Sequence, residues 1–359
     1  MKVTIVGAGN IGTQFAVHCA EKGHAVTVYS SKPEMIHDVL EIVNENNEVI
    51  HRGKIKQATN DIKVAFENTE FIFVTVPAMM MKVTAEKIKP YANDNMRICL
   101  VPGTGGGECA FKECVEKGAT VVGMQRVPSV ARLVQYGQRV RAVGYRDELF
   151  AAAIPRGKTE ECCKIIEDIF DMKTSAIPNY LNITLTPSNP ILHTTRLRKI
   201  YEDYKEGVIY KRVPLFYEEW TNESSELLLA CDEEIQQICR KMSQFDLSYV
   251  KSLRIHYESP DAVALTKKIS SIKGFQGIQS PAVEVPGGFI PDFNSRYFTA
   301  DFSYGLTILV QIAEFVQVAV PNMKETLDWY HGLVGEVKEY NFGEYGIRNC
   351  EEFLSFYSK

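Results

Sequence analysis

One histidine stands out by its setting. Ser188-Asn189-Pro190-Ile191-Leu192-His193 places it just after the point where a nucleotide-binding domain should end. A redox enzyme that moves a proton on or off its substrate near neutral pH needs a group titrating there, and imidazole is the usual choice. The nucleotide signal lies near the N-terminus, where Gly7-Ala8-Gly9-Asn10-Ile11-Gly12 forms a G-x-G-x-x-G turn between an apolar strand and a helix. Such glycines permit a tight turn, close approach of backbone to a pyrophosphate, and tight packing of helix on strand. The helix N-terminus then faces the phosphates.

Other residues refine the cofactor. An NAD enzyme usually offers an acid about 20 residues past the glycines for the ribose hydroxyls. Here Ser30, Ser31 and Lys32 end the second strand instead. Two hydroxyls and an amine suit a 2′-phosphate, so NADP is expected in preference to NAD. Pro77 and Gly103 fall at the carboxyl ends of later strands, where ligands of an open α/β sheet bind. Both are expected to line the nicotinamide pocket.

Positioning these residues requires two kinds of domain. Residues 3–6, Ala25–Tyr29, 71–76, 97–101 and Thr120–Met124 are short apolar runs, and amphipathic segments at 11–22 and 85–91 separate some of them. Continuously apolar strands alternating with helices predict a parallel sheet covered on both faces. Residues 140–143 and 174–177, flanking a helix at 160–170, are expected to extend that sheet. From about Pro178 the pattern becomes helical, at 196–204, 223–242, 260–269 and 302–320. The expected fold is thus a doubly wound α/β Rossmann-type domain, residues 1–178, followed by an all-α domain, residues 179–359.

Composition excludes several function classes. A net charge of -5 and a pI near 5.9 argue against a nucleic-acid partner or an anionic membrane surface. The apolar run 306–320 is interrupted by Gln311, Glu314 and Gln317 and reads as a buried helix, not a membrane span. With the first strand beginning at once and nine cysteines in no paired spacing, the expected location is the reducing cytoplasm. No metal-ligand cluster is visible in the spacing, and histidines 18, 24, 37, 51, 256 and 331 read as structural or exposed.

The blocks GAGNIG, VTVPA, VPGTGGGE, VPSVARL, LTPSNPILH and SRYFTADFSYGL, in that order, resemble the opine dehydrogenase family over roughly residues 1 to 340. The resemblance implies a Rossmann domain followed by a helical domain, and reductive condensation of an amino acid with an α-keto acid. It implies His193 as general acid/base, Asp301 as its orienting partner, and Arg296 as a clamp on the keto-acid carboxylate. The residue types suit those roles, because a carboxylate fixes an imidazole tautomer and a guanidinium binds a carboxylate bidentately. Asn189 and Arg132 are further substrate-binding candidates. Asp301 as a helix N-cap and Arg296 as its structural ion-pair partner are the competing readings.

Three departures from the family pattern are Thr194 after the histidine, Ala300 before the aspartate, and Gln125-Arg126 in place of an acid and a threonine. Arg126 points to an anionic or unusual amino donor. The partners expected are small molecules, an amino acid and an α-keto acid. A homodimer through the helical domain and a monomer fit equally. Two other functions share this domain plan: a ketopantoate reductase or glycerol-phosphate dehydrogenase-like reductase of a small hydroxy acid, and a non-catalytic NADP(H) sensor.

Overall fold

The first strand is buried on both faces beyond Lys2 because it becomes the middle of a covered sheet. The computed structural model describes residues 1–359. Its N-terminal strands are β1 (Lys2–Val6), β2 (Ala25–Tyr29), β3 (Val39–Val43), β4 (Val49–Lys54), β5 (Gln57–Thr59) and β6 (Phe71–Val74). There follow β7 (Arg97–Leu100), β8 (Thr120–Met124), β9 (Val130–Gln135), β10 (Arg139–Val143), β11 (Glu148–Ile154) and β12 (Lys173–Ala176). Eight of them form one sheet in the order β12-β11-β8-β7-β6-β1-β2-β5. Every pairing in it is parallel except β8 with β11. Chain order reverses at β1, with β2 on one side and β6 on the other, which is the switch point where such sheets bind ligands.

Helix α1 (Asn10–Glu21) is held between this sheet and a second one. Phe15 of α1 meets Phe73 of β6 at 5.0 Å and Phe170 at 4.6 Å, both edge to face. These fully or largely buried rings carry much of the apolar burial that holds α1 in place. The second sheet has the order β4-β3-β10-β9. It buries Leu40, Ile42, Ala131, Val140 and Ala142 in the same core, while Glu41 pairs with Arg52 at 2.6 Å and with Arg139 at 2.5 Å.

This sheet corrects the sequence-based expectation. Residues 140–143 do not extend the large sheet; as β10 they pair with β3 and β9. The alternation in β10, with Val140 and Ala142 buried between half-exposed arginines, is that of a one-sided sheet, not of a doubly covered one. The strand that does continue the large sheet is β11, rich in alanine and antiparallel to β8.

The chain divides into two compact units, Met1–Thr184 with Glu351–Lys359, and Leu185–Cys350. The expected division at 178 therefore falls short by several residues, and the last segment returns to the first unit. Tyr357 carries it there, its carbonyl accepting from Asn179 Nδ2 at 2.8 Å. The second unit is built on helices Asn189–Ile200, Asn222–Lys241, Ala262–Ser271, Thr307–Phe315 and Pro321–Val334. It also holds one antiparallel hairpin, β13 (Ala282–Val285) with β14 (Gly288–Pro291), beside its helices. No helix is long and apolar enough to cross a membrane.

Candidate active site

The glycine turn is formed as its sequence demands. Gly7 adopts φ +103°, a conformation that L side chains rarely take, and its N–H donates to the Tyr29 carbonyl at 3.0 Å. A Cβ on Gly12 would lie 1.9 Å from the Gly7 carbonyl oxygen, so glycine there lets helix and turn touch. A Cβ on Gly9 would meet no atom within 4 Å, which leaves open space before the N-terminus of α1. That open cradle, with unpaired backbone N–H groups at a helix N-terminus, fits a pyrophosphate.

The other cofactor candidates divide. Ile11 is half-buried behind the turn. Ser31 and Lys32 are exposed and their side chains carry no hydrogen bond or ion pair, while Ser30 is buried with its hydroxyl 3.2 Å from Tyr136 Oη. The Asn10 side chain is already committed, accepting from Leu133 N–H at 2.8 Å. Pro77 is exposed and precedes the short helical turn Ala78–Met80. Gly103 is different: it is buried, and a Cβ there would lie 2.7 Å from Gly123 Cα and 3.0 Å from Tyr180 Oη. Packing alone therefore requires a glycine there. Arg132 is exposed on β9 and reaches only the Ala131 carbonyl, at 3.0 Å.

The second unit assembles the histidine site from three distant segments. Ser188 precedes helix Asn189–Ile200, and Pro190 occupies its first turn, where a missing N–H costs nothing. His193 then falls on a buried face. Asp301 enters from an irregular π turn, Phe302–Leu306, that adjoins helix Thr307–Phe315. A Cβ on Gly305 would sit 2.9 Å from Pro190 Cγ, so glycine there allows the turn to press against the histidine helix. The result is a 2.7 Å contact between His193 Nδ1 and Asp301 Oδ2. Because a carboxylate only accepts, Nδ1 must carry the hydrogen. The Asp301 side chain makes no capping bond to the turn that follows it, so the N-cap reading fails.

The opposite nitrogen, Nε2, lies 2.7 Å from the Tyr217 hydroxyl. Aromatic rings enclose the imidazole, with Tyr297 at 4.5 Å, Phe216 at 5.5 Å and Tyr217 at 6.1 Å between centroids. Arg296 and Asn189 are both exposed, and neither side chain has a partner; in particular, Arg296 forms no ion pair with Asp301. An unpaired guanidinium in the residue next to the Tyr297 ring is free to bind an anion. The cluster can therefore exchange a proton at Nε2 while Asp301 holds the ring.

Residues 176–334 match the model of the NAD/NADP octopine/nopaline dehydrogenase alpha-helical domain, a stretch that includes the whole histidine site. The chain is similar to the opine dehydrogenase family, and the family match lies in its helical part. It is 25% identical to an opine dehydrogenase of Arthrobacter, over 92% of this chain and 90% of that one. It is 24% identical to a tauropine dehydrogenase of Arabella iricolor, over 81% and 77%. The fold is that of octopine dehydrogenase solved with NADH and pyruvate, at TM-score 0.87 and 22% identity over 99% of this chain and 98% of that one. With these likenesses over nearly the whole chain, the protein is an NAD(P)-dependent dehydrogenase. Residues 2–116 also match the N-terminus of NAD-dependent glycerol-3-phosphate dehydrogenase, a likeness confined to the nucleotide-binding part.

Sequence reasoning missed Tyr217 and the residue that positions it. Arg196, one turn beyond His193, is buried and donates to the Phe216 carbonyl at 2.9 Å, the Glu219 carbonyl at 2.6 Å and Ser224 Oγ at 3.2 Å. Burial lowers its guanidinium to about 10, still charged at neutral pH. It thereby lashes segment 216–219 over the imidazole. The available signal was an arginine on the same helix face as His193, three residues on, with no acid nearby in sequence.

Proposed function

We propose that the protein condenses an amino acid with an α-keto acid and reduces the product to a secondary amine, with His193 as the general acid/base. The observation that carries this reading is the bracketing of His193 by Asp301 and Tyr217 inside the opine dehydrogenase-type helical unit. The amine attacks the keto carbon to form a carbinolamine. Its hydroxyl leaves as water after taking a proton from the His193 side, which gives a protonated imine. NAD(P)H, held at the glycine turn, would supply the hydride that turns this protonated imine into the neutral secondary amine. Asp301 holds the ring through Nδ1–H, so that Nε2 alone faces proton exchange, and it stabilises the imidazolium between turnovers.

Arg296 is the keto-acid clamp in this reading, supported by its exposure and its lack of any internal partner. Its fork would orient the carboxylate through two parallel bonds and hold the carbonyl for attack. Asn189 and Arg132, also exposed, are secondary candidates for substrate contacts. NADP is the proposed cofactor over NAD, because Ser31 and Lys32 present a hydroxyl and an amine where an acid would serve NAD.

The test is oxidation of NADPH and of NADH with pyruvate, with and without a pooled amino-acid panel. Oxidation that needs both keto acid and amine, and is faster with NADPH, is expected. Oxidation with keto acid alone would replace this reading with a hydroxy-acid reductase. His193→Asn should lower turnover by roughly 10²–10⁴-fold and leave cofactor affinity intact. Arg296→Lys should raise the keto-acid KM far more than the cofactor KM, because lysine cannot form the fork; equal rises would make Arg296 structural.

A further inference from the structure

At the end of α1 away from the glycine turn, a second group of side chains converges that the proposed chemistry does not use. His18 and Glu21 lie one turn apart on α1, and β4 brings His51 against them. The donor atoms of these three residues all lie within 4.8 Å of one another. His51 Nδ1 is 2.8 Å from Glu21 Oε2, and the His18 and His51 rings are 4.8 Å apart between centroids. His18 is buried, its ring edge-on to Phe170 at 5.3 Å, and the Tyr145 hydroxyl lies 3.4 Å from its Nε2. The other two are accessible, with side chains 34% exposed for His51 and 40% for Glu21.

We propose that His18, Glu21 and His51 form a binding site for one divalent transition ion of the zinc class. Two imidazole nitrogens and one carboxylate oxygen favour Zn²⁺, Co²⁺ or Ni²⁺ over Mg²⁺ and Ca²⁺, which take oxygen ligands. Bonds of about 2.0–2.1 Å to a tetrahedral ion set neighbouring donors about 3.3 Å apart. Rotation of the two accessible side chains supplies that closure, while His18 stays fixed by packing. The exposed side leaves room for a water as fourth ligand.

The local field suits a cation. The site sits at the C-terminal end of α1, where the helix carries partial negative charge. Lys22, the nearest ammonium in sequence, is paired with Asp171 at 2.5 Å. Ligands from α1 and from β4 make the ion a clip between the helix and the four-stranded sheet. Spacing alone did not reveal it, because His51 arrives from a strand that the sequence pattern did not disclose.

The experiment uses the whole protein, stripped with a chelator and titrated with Co²⁺ by visible absorption, then with Zn²⁺ in competition. One equivalent should bind, Zn²⁺ should raise Tm, and EDTA should return it. His51→Ala and Glu21→Gln change accessible side chains and should leave the apo Tm and NAD(P)H binding unchanged. Each should weaken Zn²⁺ binding by at least about 100-fold, more than the loss of an outer-shell contact costs. Absence of saturable binding would overturn the proposal. So would His51→Ala binding Zn²⁺ as tightly as the parent, since the ion would then sit elsewhere, for example on the half-buried thiols Cys239 and Cys350.

Discussion

Asp301 and Glu108 are carboxyls withdrawn from solvent in different units, and they keep opposite company. Asp301 meets the Nδ1–H of His193 at 2.7 Å. Glu108, fully buried, meets two hydroxyls and no cation: Thr184 Oγ1 at 2.5 Å and Tyr357 Oη at 2.6 Å, both on Oε1. Its Oε2 is buried with no partner. Burial without a cation pushes Glu108 up to about 7. Burial alone therefore does not mark an acid that works on substrate. A carboxylate against an imidazole accepts its Nδ1–H and orients the ring, whereas burial without a cation leaves Glu108 its proton despite the hydroxyls that donate to it.

Turnover separates the two most widely. Asp301→Asn should lower kcat by roughly 10²–10⁴-fold, because an amide can hold the ring in the wrong tautomer and cannot stabilise imidazolium. Glu108→Gln should change kcat little. A loss of turnover in Glu108→Gln as deep as in Asp301→Asn, measured at matched folded fraction, would break the contrast and move Glu108 into the reaction.

Stability should separate them in the other direction. In the folded protein Glu108 holds its proton up to about pH 7, against 4.5 for an ordinary glutamate. Between those values the folded state binds more protons than the unfolded chain, so stability falls as pH rises through that window. A gap of that size corresponds to about 3 kcal/mol at most, complete above pH 8. Glu108→Gln should remove this slope, as read from urea midpoints at pH 5 and pH 8. A variant with the parent's slope would show that the dependence arises elsewhere. The buried thiol of Cys109 lies 3.6 Å from Tyr357 Oη, the hydroxyl that donates to Glu108.

How much of this was readable in sequence follows chain distance. The glycine turn is local: strand, turn and helix occupy adjacent residues, so its shape is written in one run of letters. The His193 and Asp301 pair spans 108 residues, yet it was legible because two family-specific blocks carry its members. Tyr217 carries no such block. It reaches His193 through Arg196 and three acceptors, a link set by tertiary packing that no periodicity encodes. Gly103 adds a packing role that its position after a strand does not disclose: the space a side chain would need is filled by Tyr180 and Gly123. The four-stranded sheet escaped for a similar reason, since short half-exposed strands such as β4 and β9 lack a continuous apolar run.

Tyr217 gives the smallest and most informative test of what the imidazole's second nitrogen does. Its hydroxyl sits on Nε2, the atom that must exchange a proton with substrate if Asp301 keeps Nδ1. Two arrangements satisfy that geometry. Either the phenol passes the proton, or it holds the ring until substrate displaces it. Tyr217→Phe removes the hydroxyl and keeps the ring that stacks on Phe275 at 4.2 Å, so packing is preserved. If the hydroxyl relays, kcat should fall about tenfold with KM for the keto acid unchanged, a modest share of general acid–base help. If it only parks the ring, the same variant should lower KM and leave kcat alone, since binding then no longer breaks a hydrogen bond. An unchanged kcat and KM would leave His193 dependent on Asp301 alone, and the aromatic enclosure would be packing.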